Sequence, residues 1–141
     1  LARLNADAAV PAVDAAVTVM GWGDTDAHDD RVELSDKLLR VEVSVIANAE
    51  CAESARGRHS YAGRITENML CARSHERRMD SCQGDSGGPL VVSAGAGNLQ
   101  VGVVSWGIGC ATKHFPGVYA RVSRVYEWIE REVCENSQHA E

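Results

Sequence analysis

The chain has 141 residues, a hydrophobic fraction of 45% and a formal net charge of −6. This length suits one domain or half of a two-domain protein, and the composition allows a packed core. The negative charge argues against binding to nucleic acid, which requires clustered lysine and arginine, and no apolar run reaches the roughly 20 residues that a membrane-spanning helix needs.

The first third of the chain predicts a linker, two strands and a short helix. Residues 1–16 are expected to be a linker because they are rich in alanine, aspartate and proline. Val17 to Trp22 form a short apolar strand, and Leu38 to Ile46 alternate apolar and polar side chains as in a half-buried strand. Asn48 to Ala55 are typical of a short helix capped by Asn48.

The second half predicts further strands and one longer helix. Pro89 to Ser93, Leu99 to Trp106 and Gly117 to Val122 are apolar strand segments. Ser123 to Val133 form an amphipathic helix with Ser123 as the N-cap. Its apolar stripe consists of Val125, Trp128, Ile129 and Val133. Several short strands and one terminal helix predict an all-β barrel with a helical tail over residues 17–134, followed by a polar tail over 135–141.

A candidate catalytic serine lies in the stretch DSCQGDSGGP, which runs from Asp80 to Pro89. Acyl transfer by serine needs a nucleophile, a base and donors for the developing oxyanion. Gly84 allows its own N–H and that of Ser86 to approach one point, and Gly87 and Gly88 leave room for a substrate carbonyl. The alternative is that the glycines form only a tight turn.

The cysteine pattern indicates disulfides. Five cysteines stand at positions 51, 71, 82, 110 and 134, and none forms a Cys-x-x-Cys pair. A zinc or redox motif is therefore not expected, and the wide spacing predicts disulfides and an oxidising compartment. Because five is an odd number, at least one thiol lacks a partner within the chain.

Five ordered blocks carry a resemblance to a known family. They are GWG (Gly21 to Gly23), ITENMLCA (Ile65 to Ala72), DSCQGDSGGPL (Asp80 to Leu90), VSWGIGC (Val104 to Cys110) and PGVYARV (Pro116 to Val122). In order and spacing the chain resembles the C-terminal half of a chymotrypsin-fold serine protease of the trypsin-like kind. The resemblance implies a six-stranded antiparallel β-barrel with a C-terminal α-helix, and a secreted endopeptidase that needs no metal or other cofactor.

The resemblance assigns roles around the serine. Ser86 resembles the nucleophile, and the amides of Gly84 and Ser86 resemble the oxyanion hole. Asp85 resembles the aspartate that pairs with the new N-terminal ammonium after zymogen cleavage. Asp80 matches the carboxylate at the bottom of the specificity pocket, where it would select the guanidinium or ammonium of a substrate Arg or Lys.

The resemblance also implies the substrate-binding surface and the disulfides. Further substrate-binding positions are Ser81, Gln83, Ser105, Trp106, Gly107 and Gly117. The implied disulfides are Cys51–Cys71 and Cys82–Cys110. A third disulfide of the family is replaced by Val17 and Val92, and Cys134 remains free or pairs with a segment or chain outside this sequence.

The family's catalytic histidine and aspartate have no counterpart in this chain. Neither an Ala-Ala-His-Cys motif nor an Asp-Ile-Ala-Leu motif occurs, and the five histidines lie in polar contexts typical of solvated surface residues (His28, His59, His75, His114 and His139). We expect the base and its aspartate on an N-terminal barrel in the same or another chain, and Leu1 to be a processed terminus or the edge of a fragment.

The sequence supports two hypotheses about the function. In the first, the chain is part of an endopeptidase that cuts protein or peptide substrates after Arg or Lys and is open to protein inhibitors, while the isolated chain is at best zymogen-like. In the second, it is a non-catalytic binding module that has kept the pocket. The intact Ser86, Asp80 and pocket glycines favour the first reading.

Overall fold

The fold consists mainly of short strands. A computed structural model describes residues 2–25, 32–74, 81–95, 97–110, 112 and 114–136 of the chain. The strands in this part are β1 (Arg3–Leu4), β2 (Ala16–Gly21), β3 (Leu39–Ile46), β4 (Ala55–Arg56), β5 (His59–Ser60), β6 (Met69–Arg73), β7 (Pro89–Ala94), β8 (Gly97–Trp106) and β9 (Gly117–Arg121). The helices are α1 (Asn48–Ala52), a 3₁₀ turn (Val122–Arg124) and α2 (Tyr126–Asn136).

Six of these strands close into an antiparallel barrel. Their order is β8-β7-β2-β3-β6-β9, and β9 pairs again with β8 to complete the ring. Closure leaves the long strands without an open sheet edge along most of their length. The structure confirms the prediction of a six-stranded antiparallel barrel with a C-terminal helix. β4 and β5 form a separate hairpin.

The barrel interior is filled by aliphatic side chains from alternate strand positions. Val43 and Val45 of β3 are buried, while Arg40 and Glu42 are exposed, as the alternating pattern of β3 predicts. Leu39 starts the strand and is exposed because it lies at the rim of a surface cleft. The main core cluster consists of Val17, Val19, Val43, Val45, Leu70, Ala72, Leu90, Val101, Val104 and Tyr119.

Val17 and Val92, which the resemblance places at the two ends of a third disulfide, both contact this core. Val17 is 1% exposed, and Val92 packs against the same cluster. β2 pairs with β7 so that Thr18 is opposite Val91. One step further in this antiparallel register would bring Val17 opposite Val92, as the resemblance implies for these two positions.

The segment predicted as a linker is packed against the barrel. β1 pairs in parallel with β8, and Asn5 is 1% exposed. The Asn5 side-chain amide donates to the carbonyl oxygens of Asp7 (2.9 Å) and Val10 (2.7 Å), and its Oδ1 accepts from the Asp7 N–H. These bonds satisfy a buried polar side chain and hold the segment along the outside of the barrel before β2 begins at Ala16.

The prediction that Asn48 caps α1 is wrong. The cap residue is Ala47, which makes no side-chain cap bond, and α1 already ends at Ala52. The Asn48 side chain instead donates to the carbonyl oxygens of Thr66 (2.9 Å) and Met69 (3.0 Å). These bonds direct the side chain toward the segment before β6, and its Oδ1, the atom that would accept a bond in a cap, has no partner among the described residues.

The predicted start of the C-terminal helix is also wrong. Ser123 lies within the 3₁₀ turn, and α2 begins at Tyr126 and extends to Asn136. The Ser123 hydroxyl is buried and has no hydrogen-bond partner among the described residues. A tight turn that follows β9 directly therefore separates the expected cap residue from the helix.

The apolar stripe of the C-terminal helix faces outward. Val125, Trp128 and Val133 are 41%, 55% and 59% exposed. Ile129 and Val133 line one wall of a cleft of about 590 Å³, whose other wall includes Leu4 and Leu99. Exposed apolar side chains on one side of a helix provide a surface against which another part of a protein can pack. Within the described residues, no helix is long and apolar enough to span a bilayer.

Candidate active site

Ser86 lies in the second of two consecutive tight turns that precede β7. The Asp85 N–H donates to the Cys82 carbonyl (3.1 Å), and the Gly88 N–H donates to the Asp85 carbonyl (2.8 Å). Ser86 is exposed at the second position of the second turn. The loop is fixed to β8 because the Gly87 N–H donates to the carbonyl of Val104 at 2.9 Å. The fold therefore presents one serine hydroxyl to solvent on an anchored loop.

Two glycines make the double turn possible. Gly84 and Gly87 have φ angles of +95° and +84°, a region that strains residues with a Cβ. At Gly84 an added Cβ would also lie 2.6 Å from Cδ2 of Leu34. The chain therefore reverses direction just before and just after Ser86 only because glycine occupies these positions.

Two backbone amides in this loop stand out. The N–H groups of Asp85, Gly87 and Gly88 are all donors in backbone hydrogen bonds. The N–H groups of Gly84 and Ser86 donate to none of the residues that the structure describes. Backbone donors normally find partners, so these two amides are available to a group that arrives from outside.

The Asp85 carboxylate is fixed at both oxygens. Oδ1 accepts from the Gly23 N–H (2.8 Å), and Oδ2 accepts from the Cys82 N–H (2.9 Å). A Cβ added at Gly21 or Gly23 would overlap with this carboxylate. In the sequence, Gly-Trp-Gly contributed to the family resemblance but was assigned no role in the site. The structure shows that the two glycines of this block leave room for the Asp85 carboxylate.

The same carboxylate lines an open cleft. This cleft has a volume of about 290 Å³ and also contacts Met20, Arg40 and Ser81. Asp85 is partly exposed there. The Asp85 carboxylate therefore accepts hydrogen bonds from two uncharged backbone donors, Gly23 and Cys82, and also borders an open cleft from which a cation can approach.

Other predicted residues brace the loop. The Ser81 hydroxyl lies 3.3 Å from the hydroxyl of the fully buried Tyr119. Gln83 is exposed, and its carbonyl accepts from the Asp24 N–H at 2.8 Å, which ties the loop to the segment after β2.

The structure contains both disulfides that the resemblance implies. Cys82 and Cys110 are joined with a Cα–Cα distance of 5.1 Å and connect the Ser86 loop to the segment after β8. Cys51 and Cys71 are joined with a Cα–Cα distance of 6.3 Å and connect α1 to β6. The side chain of Cys134, which lies in α2, is outside the described part.

The end of β8 offers a strand edge beside Ser86. Pairing between β7 and β8 ends where Pro89 lies opposite Val103, and the Ser86 loop contributes the last bonds, to Val104. A bulge places Ser105 between the pairs that Val104 and Trp106 make with β9. Beyond Val104, the β7 side of β8 has no strand partner among the described residues, so an extended peptide can add there.

Gly107 and Gly117 lie on the segments that flank this edge. Gly107 is exposed, and a Cβ there would be in ordinary contact with the Gly109 carbonyl (3.6 Å) and the Tyr61 hydroxyl (3.7 Å). Gly117 opens β9 opposite Ala72 of β6.

Sequence reasoning missed Tyr61, which connects these segments. The Tyr61 ring is fully buried and packs edge-on against Trp106 with centroids 4.9 Å apart. Its hydroxyl donates to the Pro116 carbonyl (3.0 Å) and accepts from the Ile108 N–H (2.9 Å). In the sequence, the only indication of this role was that Tyr61 is a single aromatic residue in a stretch of small and charged residues.

Several predicted positions lie outside the described residues. They are Asp80, the predicted specificity carboxylate, and the histidines His28, His75 and His139. His59 in β5 and His114 in the turn before β9 are exposed. Within the described segments, no hydrogen bond joins either histidine to Ser86.

The sequence of this chain is similar to those of known serine proteases. The family model described as Trypsin matches residues 1–129. The chain is 44% identical over 121 residues to Trypsin alpha-3 of Lucilia cuprina, across 86% of this chain and 66% of that protein. It is 39% identical over 137 residues to Serine protease 1 of Homo sapiens, across 97% and 51%. It is 42% identical over 119 residues to Anionic trypsin of Canis lupus familiaris, across 84% and 43%.

The closed barrel with its terminal helix is the architecture of the chymotrypsin-fold serine proteases. Within that class, the chain belongs to the trypsin family. The chain spans about half the length of the curated relatives it matches, with coverage of 66%, 51% and 43% for the first three.

Proposed function

We propose that this chain is the C-terminal barrel of a secreted trypsin-like endopeptidase that hydrolyses peptide bonds after Arg or Lys through an acyl-enzyme on Ser86. The observation that carries the proposal is the geometry of the double turn. It presents the Ser86 hydroxyl to solvent beside the amides of Gly84 and Ser86, which donate to no other described residue.

These groups have defined roles in the proposed reaction. The Ser86 hydroxyl attacks the substrate carbonyl carbon while a base removes its proton. The resulting oxyanion accepts hydrogen bonds from the Gly84 and Ser86 amides, and preorganised donors of this kind stabilise charge as it develops. The amine product leaves with a proton from the base, and water then hydrolyses the acyl-enzyme.

The substrate backbone is proposed to pair with Ser105, Trp106 and Gly107. The free β7 side of this edge supports the proposal because it continues directly from the Ser86 loop. A peptide in the antiparallel direction of β7 would bring the residue before the cut close to Ser105. Its upstream residues would then lie beside Trp106 and Gly107.

Specificity for Arg or Lys is proposed to reside in Asp80. Ser81, the next residue along the chain, has its hydroxyl directed at Tyr119 in the barrel, and Cys82 is crosslinked to Cys110. Asp80 therefore immediately precedes an anchored part of the chain. A buried carboxylate left unpaired is costly, so an uncharged side chain in its pocket would be rejected.

The catalytic base and its aspartate are proposed to come from an N-terminal barrel outside this sequence. The exposed apolar stripe of α2 and the cleft beside it supply a surface on which such a barrel would pack. Without that barrel we expect the isolated chain to be inactive, because loss of the base removes most of the rate enhancement.

Asp85 is proposed to pair with an N-terminal ammonium that zymogen cleavage releases. Its fixed carboxylate at the edge of the 290 Å³ cleft supports this role. The ion pair would hold the turn between Cys82 and Asp85, and with it the Gly84 amide. Secretion is proposed because the two disulfides persist in an oxidising environment. Expected partners are protein or peptide substrates and protein inhibitors.

The test uses the complete gene product with peptide substrates that differ only in the residue before the cut. We expect cleavage after Arg and Lys, no cleavage after Phe, and loss of activity in Ser86→Ala. The matched control Ser93→Ala, which changes an exposed serine on β7, should retain full activity. Full activity of Ser86→Ala would refute the nucleophile, and cleavage after Phe in preference to Arg would refute Asp80.

The alternative is a non-catalytic binding module that has kept the pocket residues. It predicts a complete gene product that binds Arg-containing peptides, measured by calorimetry, and cleaves none of them. Turnover that depends on Ser86 would exclude it.

A further inference from the structure

An arginine stands over the tryptophan at the end of the proposed substrate edge. The guanidinium carbon of Arg64 lies 4.6 Å from the centroid of the Trp106 ring. Tyr61 also packs edge-on against this ring, with the two centroids 4.9 Å apart. A cation over an indole face is held there by the ring quadrupole, with a modest energy at an exposed site. Arg64 is therefore positioned beside the edge.

The backbone of Arg64 is anchored as well. Its N–H donates to the Tyr61 carbonyl at 2.9 Å, which closes a tight turn through Gly63. Tyr61 is fully buried and bonded through its hydroxyl to Ile108 and Pro116. The turn thus fixes the base of the Arg64 side chain to the same residues that support the edge of β8.

The charge of Arg64 is not neutralised within the described part of the chain. No hydrogen bond or salt bridge joins its guanidinium to another described residue, whereas Arg73 pairs with Glu50 and Arg124 pairs with Glu67. Residues 55–64 contain three arginines, one histidine and no acidic residue. The N–H donors of a guanidinium lie in its plane and match a carboxylate geometrically, so contact with the ring leaves donors for one.

We propose that Arg64 is a specificity-determining residue that selects an acidic side chain at one of the second to fourth residues before the cleaved bond. The inference rests on the proposed function, because it requires a substrate strand along Ser105, Trp106 and Gly107. In that arrangement the residue before the cut lies near Ser105, and the residues upstream of it pass Trp106. An Asp or Glu there would reach the guanidinium on the Trp106 ring.

The experiment measures kcat/KM of the complete gene product on peptides with Arg before the cut and Glu, Gln or Lys at each upstream position in turn. At one of the three positions we expect Glu to exceed Lys about threefold to tenfold, the range for an exposed ion pair compared with the matching repulsion. The ratio should fall with added salt, as exposed charges are screened. In Arg64→Glu the preference should reverse, and in Arg64→Gln it should vanish.

The matched control is Arg131→Glu. This variant makes the same charge change on α2, which lies near Leu99 at the other end of β8, and it should leave the ratio unchanged. An Arg64→Glu enzyme with the wild-type ratio of Glu to Lys, while still cutting after Arg, would overturn this inference and leave the proposed function intact. Failure of the wild type to cut any peptide after Arg or Lys would overturn both.

Discussion

Replacing Tyr61 with phenylalanine isolates the contribution of one buried hydroxyl. The ring of Tyr61 contacts Trp106 and Phe115, at centroid distances of 4.9 and 5.1 Å, and a phenylalanine ring can keep both contacts. The hydroxyl alone joins the Ile108 N–H to the Pro116 carbonyl. The substitution therefore separates the hydrogen-bonded bridge from the packing of the aromatic ring.

The expected loss follows from the burial of the two partners. Pro116 is buried, so its carbonyl loses its partner away from water, at a cost of about 1–3 kcal/mol. Ile108 is partly exposed, so its N–H can recover a bond to water. We expect Tyr61→Phe to lower the free energy of unfolding by about 2 kcal/mol, which shifts the urea midpoint by about 1 M.

The assay is urea unfolding of the complete gene product in a Ser86→Ala background, which prevents self-digestion. The control is Tyr126→Phe, because among the described residues the Tyr126 hydroxyl makes only an exposed bond of 3.4 Å to Glu130. The control should change stability by less than about 0.5 kcal/mol. Equal losses in the two variants would refute the view that the Tyr61 hydroxyl holds the two segments together.

Three further predictions follow from the structure. In the Ser86→Ala background, Gly23→Ala should lower the urea midpoint because its Cβ would overlap with the Asp85 carboxylate. The control Gly97→Ala should leave the midpoint unchanged because the space around Gly97 is open. Equal midpoints for the two variants would contradict the close packing at Gly23. In the double variant Cys82→Ala with Cys110→Ala, the free energy of unfolding measured in urea should fall by about 2–5 kcal/mol. Peptide mapping without reduction should recover Cys82 with Cys110 and Cys51 with Cys71. Any other pairing would be evidence against the fold. Trp128→Glu should destabilise the complete gene product by about 2 kcal/mol because it places a charge in the proposed barrel contact. The control Glu127→Lys reverses a charge in the first turn of the same helix and should cost less than about 1 kcal/mol. Similar urea midpoints for the two variants would argue against α2 as the packing surface.

Much of the barrel was predictable from local pattern. β3 alternates apolar and polar residues, and that period is sufficient to define a strand and its buried face because side chains alternate across a sheet. The helix caps at Asn48 and Ser123 were not predictable in the same way. A capping side chain competes with tertiary partners, and Asn48 bonds to Thr66 and Met69, which are distant in sequence.

Some residues of the candidate site could also be predicted from the sequence, and others could not. Ser86 and its glycines are consecutive in the chain, so their pattern was recognisable without a structure. Gly23, Tyr61 and Arg64 belong to the site only through contacts across the fold, with Asp85, Pro116 and Trp106 respectively. No local periodicity encodes such pairings.

The sequence by itself determined the class of fold, the family and the glycine-rich loop around the proposed nucleophile, because each depends on side-chain types at short, ordered spacings. Only the tertiary structure decided which amides remain available near Ser86, which edge of β8 is open and which face of α2 is exposed. These properties are set by the partners that each group finds, and in a closed barrel most of those partners come from strands that are distant along the chain.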